Sequence, residues 1–184
     1  MRILYLQTFP FWGSGSGTYA RHLASVVGRT HKVAILAPDD RPIDKAKLYT
    51  VHLPFPVAFT GHPEWPDCKF YTQLTNVEVS HVYQAFLNAT IAAVEDFHPD
   101  IIHVHHAFPL TWAAAFVKDM YGINFITTIH GSELPTIEKD RRYGRATYYS
   151  MYRTSRIIPN SGYTRDWFLR VFHGYFHEKC RVIP

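Results

Sequence analysis

Short apolar runs alternate with amphipathic stretches of helical spacing along the whole chain. The first run, residues 3–6, has no polar face, which is typical of a strand covered on both sides in a parallel sheet. An alternating pattern at 49–53 predicts a further strand. The remaining runs of strand length lie at residues 32–37, 101–105, 124–129, 156–159 and 181–183.

The stretches between these runs predict helices. The longest begins at Val79 and stops before Pro99, because the residue preceding a proline disfavours helix. Gly122 closes another that begins at Leu110. Two more helices are predicted at 138–154 and 165–173, and one after the glycine-rich segment, with a buried face formed by Tyr19, Leu23, Val26 and Val27. This order predicts an α/β fold, a doubly wound and mostly parallel sheet with helices on both faces.

Residues 54–76 interrupt the alternation. They contain several aromatic residues and four prolines without periodicity. A loop of this length inside a compact domain is usually functional or mobile.

In doubly wound sheets, ligands bind beyond the carboxyl ends of the strands. The loops that matter most are therefore 8–17, 106–109, 130–137 and 160–164. The first is rich in glycine and precedes a helix, so that Gly15, Ser16 and Gly17 can offer backbone N–H groups to a phosphate. Residues 15–20 also fit the dinucleotide-binding pattern G-x-G-x-x-A, with Asp39 or Asp40 about 20 residues further on. The distance between the strand and the first glycine weakens that alternative.

Histidines cluster at the end of the strand 101–105. Alternation places His103 and His105 on one face, and His106 follows at the carboxyl end, where it can reach a ligand. Imidazole also ligates metals, but hydrogen-bonded strand-end histidines are more common, and we predict no metal site.

Two further loops carry polar side chains that can contact a ligand. His130 and Gly131 leave the strand 124–129 directly, and Glu133 follows, either as a ligand contact or as an acid favoured by a helix dipole. A neutral imidazole accepts a hydrogen bond from a sugar hydroxyl, and a protonated one stabilises negative charge. In the last loop, Ser161 is a candidate helix cap or ligand contact, together with Thr164.

Composition narrows the function classes. Of 184 residues, 47% are apolar and 18% are charged, which supports a folded core. The net charge of +4 is too small to indicate nucleic-acid binding. Two distant cysteines exclude a disulfide scaffold and a thiolate zinc site, and no apolar stretch reaches the length of a membrane span. We expect a cytoplasmic protein.

A cluster of basic residues lies in the predicted helix 138–154: Lys139, Arg141, Arg142 and Arg145. Glu138 and Arg142 are spaced for an ion pair on one helix face. A solvated face is the favoured interpretation, and peripheral contact with an anionic membrane, at its inner face, is the minority one.

No serine-protease order, P-loop, HExxH or paired-carboxylate motif occurs. Five segments, read in order, nevertheless resemble the N-terminal domain of the retaining, two-domain glycosyltransferases of family 4, which have the GT-B fold. They are the glycine loop and helix at 14–24, the strand at 100–106, the T-x-H-G-x-E segment at 128–133, the N-S-x-x-T-R turn at 160–165 and the strand at 181–184.

The resemblance implies a Rossmann-like, acceptor-side domain over 1–184 that acts with a nucleotide-sugar and a sugar, lipid or small-molecule acceptor. It implies that His130 faces the donor sugar, that Gly15 approaches the diphosphate and that loop 54–76 shapes the acceptor side. No cofactor is implied beyond the nucleotide-sugar co-substrate. The family's nucleotide-binding domain would follow residue 184, so we expect the chain alone to be inactive. An NAD(P)-binding oxidoreductase domain and a non-catalytic sugar- or nucleotide-binding module are the alternatives.

Overall fold

The strands follow most of the apolar runs. The computed structural model describes residues 1–184. Its strands are Arg2–Leu6 (β1), Lys32–Ala37 (β2), Ala46–Thr50 (β3), Val57–Ala58 (β4), Lys69–Phe70 (β5), Ile101–His105 (β6), Phe125–Ile129 (β7) and Arg156–Pro159 (β8).

Six of these strands form one parallel sheet in the order β3-β2-β1-β6-β7-β8. The strands β1 and β6 lie side by side at its centre, with Leu4 opposite Ile102. The chain winds outward in both directions from this pair, which makes the β1–β6 junction the point where the strand order reverses. A crevice at such a point is the usual ligand site in open α/β sheets. The predicted fold class is confirmed.

The helices connect successive strands and cover both faces of the sheet. They are Gly15–Val27 (α1), Asn76–Phe97 (α2), Leu110–Tyr121 (α3), Leu134–Lys139 (α4), Arg142–Arg153 (α5) and Gly162–Val171 (α6). Thr75 begins α2 as a capping box with Glu78, and Gly122 ends α3 in the left-handed conformation. None of the helices is both long and apolar enough to cross a bilayer.

Side-chain alternation along the strands separates two apolar layers. Leu4 and Leu6 of β1 face the larger core, beneath α2 and α3. Tyr5 faces the opposite side, in the smaller cluster covered by α1. His103 and His105 of β6 share the side of Tyr5, as their ring contacts with it show. The face beneath α1 is therefore the polar one near the carboxyl end of the sheet.

The bounds of several elements differ from the sequence predictions, and α2 begins at Asn76 instead of Val79. The third sheet strand is Ala46–Thr50 instead of 49–53, because its backbone pairs with β2 from Val33 onward and leaves the sheet before the prolines of loop 54–76. That loop contains the short pair β4–β5 and a 3₁₀ turn. Residues 181–183 run beside β8 through two backbone hydrogen bonds but form no regular strand. The last helix spans Gly162–Val171 instead of 165–173.

The predicted helix 138–154 is two helices, and the predicted Glu138–Arg142 pair does not form. Asp140 is extended and ends α4. Arg142 instead turns back to the carboxylate of Asp140 at 2.6 Å and donates to the carbonyl of Leu74 at 2.7 Å. The break thus ties the helix pair to the end of loop 54–76.

Candidate functional site

A cleft of about 540 Å³ opens at the carboxyl end of the sheet, above the junction of β1 and β6. Four segments line it: the glycine loop with the start of α1, part of loop 54–76, the turn after β7 and the turn after β8. The lining residues are Phe9, Gly13, Ser14, Gly15, Ser16, Tyr19, Ala58, Thr60, Gly61, His62, His130, Ser132 and Asn160.

The glycine loop positions the first turn of α1 at the wall of this cleft. Ser14 caps the helix, and its hydroxyl accepts a hydrogen bond from the amide of Gly17 at 3.1 Å. Gly17 packs so tightly that an added Cβ would lie 2.6 Å from the carbonyl oxygen of Pro10. Gly15 has open space on its Cβ side. As first-turn residues, Gly15 and Ser16 have amides without an intrahelical acceptor, which suits an anionic ligand.

Aromatic and charged side chains hold the glycine loop in place. The Trp12 ring contacts two guanidinium groups, with Arg21 at 4.6 Å and Arg41 at 4.2 Å from the ring centre. The buried carboxylate of Asp39 accepts hydrogen bonds from the amide of Phe11 and from Arg41. Asp39, which the dinucleotide alternative would place on a ribose, is thus occupied with holding the loop.

His130 forms part of the cleft wall and is bonded to a second imidazole. Its Nε2 lies 3.1 Å from Nδ1 of His105, and the two ring centres are 5.3 Å apart with their planes inclined by 27°. The ring of His103 lies 4.9 Å from that of His105 and is bonded to Thr128. Tyr19 packs edge-on against both His105 and His130. The Nδ1 atom of His130 has no hydrogen-bond partner within the protein.

Burial keeps the imidazoles of His103, His105 and His130 neutral. Desolvation, with a smaller contribution from His106, lowers the pKa of His130 to about 3. Burial lowers the pKa of His103 to about 4, and burial and the neighbouring histidines hold the pKa of His105 well below its usual range. At neutral pH the His130 ring is therefore uncharged. Of the two roles that the sequence allows, this favours a hydrogen bond with a hydroxyl group over the stabilisation of negative charge.

Glu133 fixes the turn after β7 through hydrogen bonds to its backbone. Its carboxylate is fully buried and accepts four hydrogen bonds, from the amides of Ala107, His130 and Gly131 and from Nδ1 of His106. These donors hold the pKa of the carboxyl below its usual range despite burial, which by itself raises it. The carboxylate does not line the cleft, so its observed contacts hold the loop after β7 against the loop after β6.

The predicted contacts at His106 and the last loop lie beside or beneath the cleft. His106 is fully buried, has a left-handed backbone, and is covered by the rings of Phe9 and Phe59. Ser161 caps α6 by accepting from the amide of Thr164, and the hydroxyls of the two residues are also bonded. These contacts show that His106, Ser161 and Thr164 stabilise the local structure of their loops.

Of the predicted site residues, the cleft brings together Gly15, Ser16 and His130. Gly17, His106, Gly131, Glu133, Ser161 and Thr164 support it without lining it. Sequence reasoning placed Tyr19 in the apolar core and did not single out His62 or Asn160. Tyr19 lies two residues after Gly17, near the start of α1, a position that could have indicated the cleft.

The rings of His103, His105, His106 and His130 form one cluster. No group of three or more His, Cys, Asp or Glu side chains has an arrangement that could hold a metal ion. The imidazoles of this cluster bind one another, Thr128 and Glu133.

Solved structures with the same fold are longer than this chain. Sucrose-phosphate synthase from Thermosynechococcus elongatus superposes with a TM-score of 0.68 at 12% identity, over 100% of this chain and 47% of that protein. HepE from Anabaena, in complex with UDP and glucose, gives 0.64 at 13% identity, over 100% and 44%. The UDP-GlcNAc 2-epimerase from Methanocaldococcus jannaschii gives 0.58 at 11%, over 100% and 45%. The chain thus spans about half the length of each.

These likenesses establish the fold of a GT-B N-terminal domain, which transferases and epimerases share. None of the curated proteins compared with the chain matches it by sequence. The model of Glycosyltransferase Family 4, in contrast, matches residues 13–184, from the glycine loop through every turn that lines the cleft. The chain accordingly belongs to Glycosyltransferase Family 4, of which it forms an N-terminal domain with the GT-B fold.

Proposed function

We propose that this chain is the acceptor-side domain of a retaining glycosyltransferase that moves a hexose from a nucleotide-sugar to an acceptor. One observation carries the proposal: the unpaired Nδ1 edge of His130 and the free amides that begin α1 belong to the same cleft. A sugar diphosphate needs both kinds of group, a hydrogen-bonding side chain for its hydroxyls and an N–H-rich site for its phosphates.

His130 would position the donor sugar, because a neutral imidazole exchanges hydrogen bonds with hydroxyl groups. Catalysis would come mostly from orientation and from electrostatic stabilisation of the departing diphosphate. Glu133 would act as a positioning residue by fixing the backbone of His130 and Gly131. No metal or further cofactor is needed in this scheme.

The diphosphate would lie against Gly15 and Ser16. The open space beside Gly15 lets a ligand approach the backbone closely. Basic residues of a second, nucleotide-binding domain would complete the site, since the compared structures are about twice as long. We therefore expect no turnover from this chain by itself.

The acceptor would bind against the wall formed by residues 58–62. This wall combines Ala58, Thr60, Gly61 and His62. The polar side chains suit an acceptor that carries hydroxyl groups, as in a sugar or the head group of a glycolipid.

The dinucleotide-dependent alternative has less support. In that fold the first glycine follows the strand directly, whereas residues 7–14 separate β1 from α1 here. Saturable binding of NAD(P) to this chain would favour the alternative.

The test replaces His130 with alanine in the enzyme that joins this domain to its nucleotide-binding half. Nucleotide release from UDP-glucose and UDP-N-acetylglucosamine in the presence of sugar acceptors should fall by about 100-fold or more. His81→Ala is the matched control, since His81 is exposed on α2 and makes no hydrogen bond. Near-normal turnover of His130→Ala would contradict the proposal.

A second variant tests the diphosphate site. Gly15→Ala adds one methyl group where the protein leaves open space, so folding stability should be kept while the Michaelis constant for the nucleotide-sugar rises. Gly144→Ala, an equally open glycine within α5, should leave the Michaelis constant unchanged, whereas the better helix propensity of alanine should raise the folding stability slightly. Unchanged kinetics in Gly15→Ala would show that the diphosphate does not bind against the glycine loop.

A further inference from the structure

The hydrogen bond between the imidazoles of His105 and His130 contains one proton, and its position decides what His130 offers to a ligand. If Nδ1–H of His105 donates to Nε2 of His130, the proton of His130 lies on Nδ1, and the free edge of His130 is a donor. If Nε2–H of His130 donates, its free Nδ1 is a bare acceptor. The two arrangements present opposite chemistry to the cleft.

The surroundings of His105 discriminate between the two arrangements. Its ring is fully buried, and its Nε2 has no hydrogen-bond partner. In the second arrangement this Nε2 would carry a proton, which would leave a buried N–H group unpaired. Buried N–H groups without an acceptor are rarer in proteins than acceptors without a donor. The first arrangement leaves only a bare nitrogen there.

We propose that His105 is a positioning residue that holds His130 in the tautomer with its proton on Nδ1, so that His130 presents an N–H donor to the cleft. Edge contacts from Tyr19 to both rings keep them in bonding geometry. The ligand atom facing His130 is consequently a hydrogen-bond acceptor, such as a sugar hydroxyl oxygen or a phosphate oxygen. This consequence for the substrate rests on the proposed function, whereas the tautomer rests on the geometry alone.

Nitrogen-15 NMR of the histidine rings tests the assignment directly. A protonated ring nitrogen has a pyrrole-type shift and a bare one a pyridine-type shift, and His130→Gln identifies the signals of His130. At neutral pH, we expect Nδ1 of His130 to be pyrrole-type and Nε2 to be pyridine-type. The reverse pattern would overturn the proposal, whether or not the enzyme transfers sugars.

Two matched substitutions then separate the hydrogen bond from packing. His105→Leu removes the donor and should shift the proton of His130 toward Nε2, which free imidazole side chains favour. His103→Leu removes a similarly buried ring that is not bonded to His130 and should leave the tautomer unchanged. Equal shifts in both variants would assign the effect to packing and refute the role of His105. If either variant fails to fold, the wild-type spectrum alone still decides the tautomer.

Discussion

Replacing Glu133 with glutamine should destabilise the protein although the two side chains have nearly the same shape. Oε1 of Glu133 accepts from the amides of Ala107 and His130, and Oε2 accepts from the amide of Gly131 and from His106. Glutamine keeps one of these oxygens and replaces the other with an NH₂ group. Two of the four buried donors then face another donor.

The magnitude follows from the count of unpaired groups. Each buried donor left without a partner costs about 1–3 kcal/mol, so two cost roughly 2–6 kcal/mol. This is a large fraction of the roughly 5–15 kcal/mol by which most domains are stable. A loss of about 3 kcal/mol lowers the melting temperature of a chain of this length by roughly 6–12 °C.

Urea unfolding followed by circular dichroism measures the effect, with an unchanged denaturant slope showing that the native state is intact. Glu138→Gln is the matched control, because Glu138 is exposed on the same short helix and makes no ion pair. If Glu133→Gln lies within about 0.5 kcal/mol of this control, the buried carboxylate does not hold the turn, and the reasoning fails.

Two further predictions concern the loop and the histidines. Gly17→Ala should destabilise the fold while Gly15→Ala does not, because only the first Cβ meets backbone atoms, and thermal unfolding of both variants decides it. Equal melting temperatures would contradict the tight packing. The second concerns pH: burial lowers the pKa of His103 to about 4, below the ordinary 6.5, so the unfolded chain binds more protons in that interval. Stability is then complete above pH 6.5 and falls as the pH drops toward 4. His103→Gln should reduce the slope by about 1.4 kcal/mol per pH unit in urea titrations, and an unchanged slope would show that His103 is not buried neutral.

The sequence was sufficient to predict the strand and helix order, because buried parallel strands are nearly continuous apolar runs. It misplaced β3 because residues 49–53 alternate more clearly than Ala46–Thr50, while pairing with β2 decides the strand. It also missed the break before α5. That break depends on contacts of Arg142 with residues 66 or more positions away, which no local pattern records.

For the site, the rule that ligands bind at the carboxyl ends of parallel strands selected three of the four segments that line the cleft, and it also selected loop 106–109, which does not line it. It did not separate cleft-lining residues from their supports. Glu133 comes from a loop that lines the cleft and His106 from a neighbouring loop, but four accepted hydrogen bonds at Glu133 and a left-handed backbone at His106 direct both inward. Such inward orientation depends on backbone angles and on long-range partners.

The central pairing of β1 with β6 has a consequence for how the protein folds. Leu4 lies beside Ile102, so the middle of the sheet joins parts of the chain that are almost a hundred residues apart. The flanking pair of β1 and β2 closes a loop of only about thirty residues. Because long loops lose more entropy on closure, β1 and β2 can associate early, while the central pair waits for α2 and β6. During synthesis the glycine loop therefore leaves the ribosome long before the histidines that complete its cleft.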